Sequence, residues 1–228
     1  RPRIEIDPEW EVVELGEVAC IRSGGTPSRS NPEYWGGSIP WVGSTVCKDG
    51  FVKSSDEYIT ELGLENSSAK MFVRGTTLIA LVGATIGKTA WLTFDCTTNQ
   101  NVAGLFPIDE TRLDKKYLFY ASQSLYPEFL RLGEGKFRMA NLAFVREQKI
   151  YLPSLDIQSQ VVNEINNEQS MVDANRTLRR CLDQTLRAGM ARVCRPGGSG
   201  NYEWRITSEE GAKENCFVHS LHLKPTDH

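Results

Sequence analysis

Apolar residues in the first 150 positions come in short runs and not in long periodic stretches. The runs CIRSG (20–24), PWVGS (40–44), TTLIALVG (76–83), TAWLTF (89–94) and NVAGLFPI (101–108) are rich in β-branched and aromatic residues. Gly, Pro, Asn and Ser bound them, which predicts strands. One helical period interrupts the series. From Asp114 to about Leu130, the side chains of Tyr117, Leu118, Ala121, Leu125 and Phe129 fall on one face, and Asp114 is placed to cap the start. Strands and helix in this irregular order fit neither a repeat nor a doubly wound sheet. The pattern predicts an α+β fold: an irregular mixed domain over residues 1–152.

After LPSLD the texture changes to a polar-rich helical pattern running from about Leu155 to Val193, without proline and with glycine only at Gly189. Ser154 is a suitable N-cap, Asp156 falls in the first turn, and RPGGSG ends the element. Val161, Ile165, Val172, Leu182, Leu186 and Val193 lie near the two core positions of a heptad, interrupted by Glu168, Asn175, Arg179 and Gly189. Such a helix is roughly 60 Å long at about 1.5 Å per residue. A globule of the preceding size cannot cover it, so the apolar seam calls for a second helix. Residues 153–195 are accordingly expected to be a long coiled-coil-forming helix that serves dimerisation and assembly. Residues 196–228 read as a linker and a poorly ordered tail. Within the tail, Cys216, His219 and His222 have the spacing of ligands on a helical turn, but no third or fourth ligand and supporting shell accompany them, and no metal site is expected.

Composition narrows the function. The 228 residues carry 26 Lys and Arg against 29 Asp and Glu, a net charge of −3, which excludes a uniformly basic nucleic-acid-coating surface. Charge is nevertheless uneven. Arg131, Lys136, Arg138, Arg146 and Lys149 face only Glu134 and Glu147 between positions 131 and 149, and a second cluster runs from Arg176 to Arg195 with Asp183 alone against it. The six cysteines contain no C-x-x-C pair and read as reduced thiols. No apolar run approaches a membrane span, and the charged opening RPRIEIDPEWEVVE lacks the apolar core of a signal peptide, so a cytoplasmic protein is expected.

The stretch GATIGKT (83–89) has the look of a phosphate loop. A P-loop needs four residues between its glycines and a helix after its lysine. Here three residues intervene and TAWLTF follows, so a glycine-containing turn between antiparallel strands is the better reading. A nucleotide-binding enzyme using Gly83 to Thr89 with Lys88 on phosphate stays open as the competing class, and a coiled-coil adaptor without DNA specificity as a third. No nucleophile–base constellation or other cofactor loop is evident.

Three segments taken together change the picture: SGGTPSRSNPEYWGGSIPWVGS (23–44), GTTLIALVGATIGKTAWLTFDCTTNQNVAGL (75–105) and ANLAFVREQKIYLPSLDIQSQVVNEI (140–165). In this order they resemble the specificity subunits of Type I restriction-modification enzymes, specifically one target recognition domain followed by one long helix. The resemblance implies a non-catalytic chain that reads one half of a split double-stranded DNA target. It further implies methyltransferase (modification) subunits and a restriction/translocase subunit as partners, with S-adenosylmethionine, ATP and Mg on those partners and no cofactor in this chain. A full subunit of that family resembles two such domains joined by two antiparallel helices. This chain shows one of each and reads as half a subunit that homodimerises or pairs with another half.

Reading bases requires bidentate donors and amides, with further cations to position the phosphates. The Gly/Pro/Ser-framed loop SGGTPSRSNPEYW offers Arg29, Asn31 and Tyr34, and GEGKFRMAN offers Lys136, Arg138 and Asn141. Arg29 and Asn31 are the candidates for base edges, Lys136 and Arg138 for phosphate.

Overall fold

The computed structural model describes residues 7–132, 139–193, 202–207 and 220–225, with side chains as far as residue 187. It forms two compact units, Arg1–Gln169 and Ser170–His228. The first ten strands are β1 (Glu11–Glu14), β2 (Ala19–Ser23), β3 (Trp35–Val42), β4 (Gly50–Val52), β5 (Glu57–Ile59), β6 (Met71–Phe72), β7 (Thr77–Ala80), β8 (Thr89–Leu92), β9 (Cys96–Thr98) and β10 (Val102–Pro107). Strand β11 (Lys149–Leu152) follows a helical stretch, and the helices are α1 (Leu15–Val18), α2 (Glu61–Glu65), α3 (Lys115–Ser124), α4 (Tyr126–Leu130), α5 (Leu142–Arg146) and α6 (Leu155–Val193).

A five-stranded sheet, in the order β2-β10-β7-β8-β4, forms the middle of the first unit. It is antiparallel except where β4 joins β8. Successive residues of the run TLIA point to opposite faces, and both faces are covered. Leu78 and Ala80 pack with Val42, Phe72 and Cys96 from a second, four-stranded sheet in the order β5-β3-β9-β6. Ile79 and Leu81 pack on the other side with Tyr117, Leu118 and Ala121 of α3. Burial on both faces is why this segment reads as a continuous apolar run without alternation. At Gly104 of β10 the two layers approach so closely that a Cβ would overlap the Phe72 ring.

All five strand predictions are met by strands β2, β3, β7, β8 and β10, and the α+β class is confirmed. The Gly83–Thr89 turn is also met. Strands β7 and β8 pair antiparallel, the turn carries left-handed glycines at Gly83 (φ 70°) and Gly87 (φ 69°), and β8 starts directly after Lys88. The helix expected over 114–130 forms as two. Asp114 caps α3 as predicted, accepting from the N–H groups of Lys116 and Tyr117, but Pro127 has no N–H to offer the Gln123 carbonyl, and the chain turns at Leu125 before α4. The predicted apolar face survives the break, since Tyr117, Leu118, Ala121, Leu125 and Phe129 all enter one core.

Helix α6 starts where expected, and its first turns belong to the first unit, so the compact boundary at Gln169 lies beyond the one expected at 152. Gln158 is fully buried there. Its amide donates to the carbonyls of Arg112 and Pro153 and accepts from the Asp114 N–H, tying α6 to the start of α3. Ile165 is buried against Phe119 and Tyr120, and Val161 packs partly there, while the Tyr120 hydroxyl donates to Asn166 Oδ1 at 2.7 Å. In the second unit α6 continues to Val193. The segment expected to be a linker and poorly ordered tail contains two paired strands, β12 (Tyr202–Thr207) and β13 (Ser220–Pro225). The two-residue alternation of YEWRI and LHL is a strand signal that a reading centred on linker composition passes over. His222 lies in β13, not on a helical turn, whereas Cys216 and His219 lie outside the described residues.

Lys116 occupies an unusual place on the helix side of the sheet. Its ammonium sits 4.0 Å from the Phe51 ring centroid and 4.1 Å from that of Trp91, and burial lowers its pKa from 10.5 to about 8, opposed by the Asp114 carboxylate. Between those two values the unfolded chain binds the extra proton and the folded one does not, so the contribution of Lys116 to stability rises as pH increases through this window. Cys47 and Cys96, buried thiols pushed up to about 12, oppose it from about pH 9, where thiols of the unfolded chain lose their protons, and buried Tyr117 and Tyr120, also raised, oppose it further at higher pH. Urea unfolding from pH 7 to 10 will show the wild-type chain gaining stability relative to Lys116→Met as pH rises; parallel profiles would assign the proton elsewhere.

Candidate nucleic-acid interface

Strand directions bring five loops to one end of the two sheets. Strands β2, β3, β7 and β9 run toward this end and stop at Ser23, Val42, Ala80 and Thr98, while β8 and β10 start from it at Thr89 and Val102. The connections that meet there are Gly24–Asn31, Gly43–Asp49, Leu81–Lys88, Asn99–Asn101 and the segment from Met139 into α5.

Backbone bonds fasten these loops to each other. The Gly25 N–H donates to the Thr98 carbonyl (2.8 Å), Asn99 N–H to Val42 (3.2 Å), Leu81 N–H to Asn101 (2.9 Å) and Ala140 N–H to Leu81 (2.8 Å). Side chains add to the mesh: Thr26 Oγ1 donates to Gln100 Oε1 at 2.7 Å, and Asn99 Oδ1 accepts from the Asn101 N–H at 3.1 Å. Asp49 holds the start of β8 by exchanging backbone and side-chain bonds with Thr89, from a left-handed conformation (φ 58°) that aspartate tolerates better than most residues. The double glycine of SGGTP has a steric reason. A Cβ at Gly24 would overlap the Thr98 carbonyl, and one at Gly25 would overlap Ser68.

The outer surface of this end is polar and cationic. Thr45, Lys48, Gly83, Ala84, Gln100, Met139 and Asn141 are exposed, and Lys88 is half-buried. Two thiols beneath it, Cys47 and Cys96, are pushed up to about 12 by burial and are chemically quiet. Among the described residues no group of His, Cys, Asp or Glu could hold a metal ion.

The six candidate contact residues fare differently. Arg29 is engaged within the chain: its fork meets Glu57 at 2.6 and 3.0 Å, and its guanidinium lies 3.5 Å from the Trp35 ring centroid. That hydrogen-bonded fork holds the Glu57 carboxyl below its usual range. Asn31 caps the short turn Pro32–Tyr34 by accepting from the Glu33 N–H, and Asn141 caps α5 by accepting from the Phe144 N–H. Tyr34 lies past the end of β5, where its carbonyl accepts from the Thr60 N–H, whereas Arg29 meets the start of that strand. Of the six, Arg29, Asn31 and Asn141 belong to the loops of this end, Tyr34 lies away from it, and Lys136 and Arg138 lie outside the described residues. Lys48, Thr45 and Gln100, exposed at the same end, were not among the six candidates. The signal for them was position: each sits in a short loop directly after or before a strand that ends here.

The seam residues also divide. Val161 and Ile165 pack on their own domain, whereas Val172, Leu182 and Leu186 are exposed, the last two at 55% and 53%. Met171 and Leu178, one heptad position earlier, are exposed as well and widen the stripe. Val193 lies beyond the described side chains.

A braced double sheet that presents loops at one end and leads into a long helix is an architecture with known counterparts. A chain from a structure on the complex assembly and conformational transition of the type I R-M system superposes with a TM-score of 0.62 at 25% identity, over 84% of this chain and 45% of that one. The HsdS subunit from Thermoanaerobacter tengcongensis superposes with a TM-score of 0.57 at 24% identity, over 78% and 41%, and so shares the fold. The model of the Type I restriction modification DNA specificity domain matches residues 8–169, ending where the first compact unit ends. The chain belongs to that family. Among curated relatives it is similar to the Type I restriction enzyme MjaIX specificity subunit of Methanocaldococcus jannaschii (24% identical, 79% of this chain and 42% of the relative). It is likewise similar to the EcoR124I/EcoR124II specificity subunit of Escherichia coli (26% identical, 75% and 43%). The chain spans less than half the length of these relatives.

Proposed function

We propose that this chain reads one half of a split double-stranded DNA target for a Type I restriction-modification system, and that it has no catalytic activity of its own. The observation that carries the reading is the loop end. The segments that hold the family resemblance converge there, braced by hydrogen bonds and faced with amides, hydroxyls and lysines. Pre-organised polar loops of this kind suit base-edge recognition, and the cations around them suit the phosphates. Methyltransferase subunits and a restriction/translocase subunit are the proposed partners, and S-adenosylmethionine, ATP and Mg belong to those partners in this reading. The exposed stripe of α6 is the proposed surface for pairing with a second copy or with another half-subunit. No helix among the described residues is long and apolar enough to cross a membrane.

Co-expression with candidate methyltransferase subunits, followed by sequencing of methylated sites, tests the reading directly: one defined motif is expected, and an absence of motif in every pairing would defeat it. Binding measurements give a finer check. Lys136→Ala and Arg138→Ala are each expected to weaken binding to all duplexes alike and to reduce the salt slope by about 0.9 per lost phosphate contact. Unchanged slopes in both would remove that segment from the phosphate contacts. A coiled-coil adaptor would bind without sequence preference or not at all.

A further inference from the structure

The loop Gly25–Ser30 is fastened at more points than its length requires. Trp41 Nε1 donates to the Gly25 carbonyl at 3.1 Å, Trp35 Nε1 donates to the Ser28 carbonyl at 3.2 Å, and Thr26 is tied to Gln100. Between these ties lies Arg29, its plane against Trp35 and 5.1 Å from the Trp41 ring centroid, its fork closed on both oxygens of Glu57. Glu57 opens β5 and pairs across the ladder with Trp41, so the ion pair links the loop to the same strand pair that carries both indoles.

A given edge of a guanidinium can serve only one bidentate partner at a time. With its Nη1/Nη2 edge on Glu57 and its plane against Trp35, Arg29 would have to open the ion pair before it could offer that edge to a guanine. We infer that Arg29 and Glu57 form a clasp that positions the Gly25–Ser30 loop for DNA, and that Arg29 is a positioning residue and not a base-reading one. Glu57, a carboxylate at a surface proposed to meet a polyanion, is explained by this role: paired with Arg29 it adds no net repulsion. The inference rests on the DNA-reading function proposed above.

The two roles predict opposite behaviour of Glu57. If Arg29 reads DNA, removing its competitor leaves binding intact or improves it. If the two residues form a clasp, each is as necessary as the other. The test uses the full chain and two fluorescent duplexes, one recovered by the wild-type chain from a randomised pool and one with the recovered sequence scrambled. The expected result is that Arg29→Ala and Glu57→Ala each cost about tenfold or more in preference for the recovered duplex, the scale of one lost bidentate read-out. The double variant is expected to match either single one, because the two act as a unit. Arg29→Lys, which keeps the charge but not the fork, is expected to fail as well, and the salt slope is expected to stay at the wild-type value. Melting temperatures near wild type are expected from a half-exposed pair, which separates the effect from unfolding.

Normal preference in Glu57→Ala with loss and a smaller salt slope in Arg29→Ala would make Arg29 a direct contact and overturn the clasp. Normal preference in every variant would place the loop outside the interface and overturn it equally. Failure of the wild-type chain to select any sequence would remove the DNA-reading proposal itself, and this inference with it, and is recognised from the wild-type protein alone.

Discussion

Aspartate at both Leu182 and Leu186 will leave a folded chain that no longer pairs through α6. The two leucines are 55% and 53% exposed in the single chain, so the substitution disturbs no packing within it. In a helix pair the same positions form the seam with Val172, widened by Met171 and Leu178, and two copies related by a two-fold axis would bury it against itself. A charge left without a partner in such a seam costs roughly 3–5 kcal/mol, which weakens pairing by at least about two orders of magnitude. Light scattering should report a pair for the wild-type chain, alone or with a half-subunit partner, and a monomer for the double variant with unchanged helix content by circular dichroism. A wild-type chain that stays monomeric at high concentration and with every partner offered would defeat the pairing model. If it holds and the chain pairs with itself, the DNA target is an inverted repeat with an unread centre, because a two-fold protein reads a two-fold site.

Gln158→Leu is expected to destabilise the first unit strongly. Leucine fills a similar volume but cannot replace the bonds to Arg112, Pro153 and Asp114, so two carbonyls and an N–H lose their partners together in a fully buried position. Each unsatisfied buried group costs about 1–3 kcal/mol, and partial relaxation puts the total near 3. For a chain of this size that corresponds to roughly 2–4 °C of melting temperature per kcal/mol. Hydrogen exchange should quicken most in the first turns of α6 and at the start of α3. A melting temperature within a degree of wild type would show that water takes over the three bonds.

These two expectations differ in how much of them the sequence discloses. The heptad stripe of α6 was legible because its spacing is a local property of the chain, and so were the capped start of α3, its apolar face and the strands on either side of Gly83. Reading failed where the cause was distant. Strand β1 pairs with β11 across nearly the whole domain, and nothing local in EVVE or KIYL announces the partner. Val161 and Ile165 obey the heptad, yet Phe119 and Tyr120 claim them first. Pro127 was a local signal, and the apolar period running through it hid the break at Leu125. At the loop end the sequence supplied residue types without their commitments: Asn31 and Asn141 are amides of the kind that reads bases, and the Oδ1 of each accepts a capping bond from a turn. Glu57 had no reason to be noticed until the fold set it opposite Arg29.

The glycine contacts carry a lesson for retargeting. At Gly24, Gly25 and Gly104 no side chain of any kind fits, because another backbone or ring already fills the space, so diversity introduced there would break the scaffold before it altered what is read. Gly83 is the opposite case: nothing lies within 4 Å of a Cβ built on it, and only its left-handed backbone limits the choice, which favours asparagine or aspartate. Thr45, Ala84, Gln100 and Met139 share its exposure. A combinatorial library confined to Gly83, Thr45, Ala84 and Met139 would vary the proposed reading surface while keeping the frame, whereas Gln100 also braces Thr26 and is best left in place.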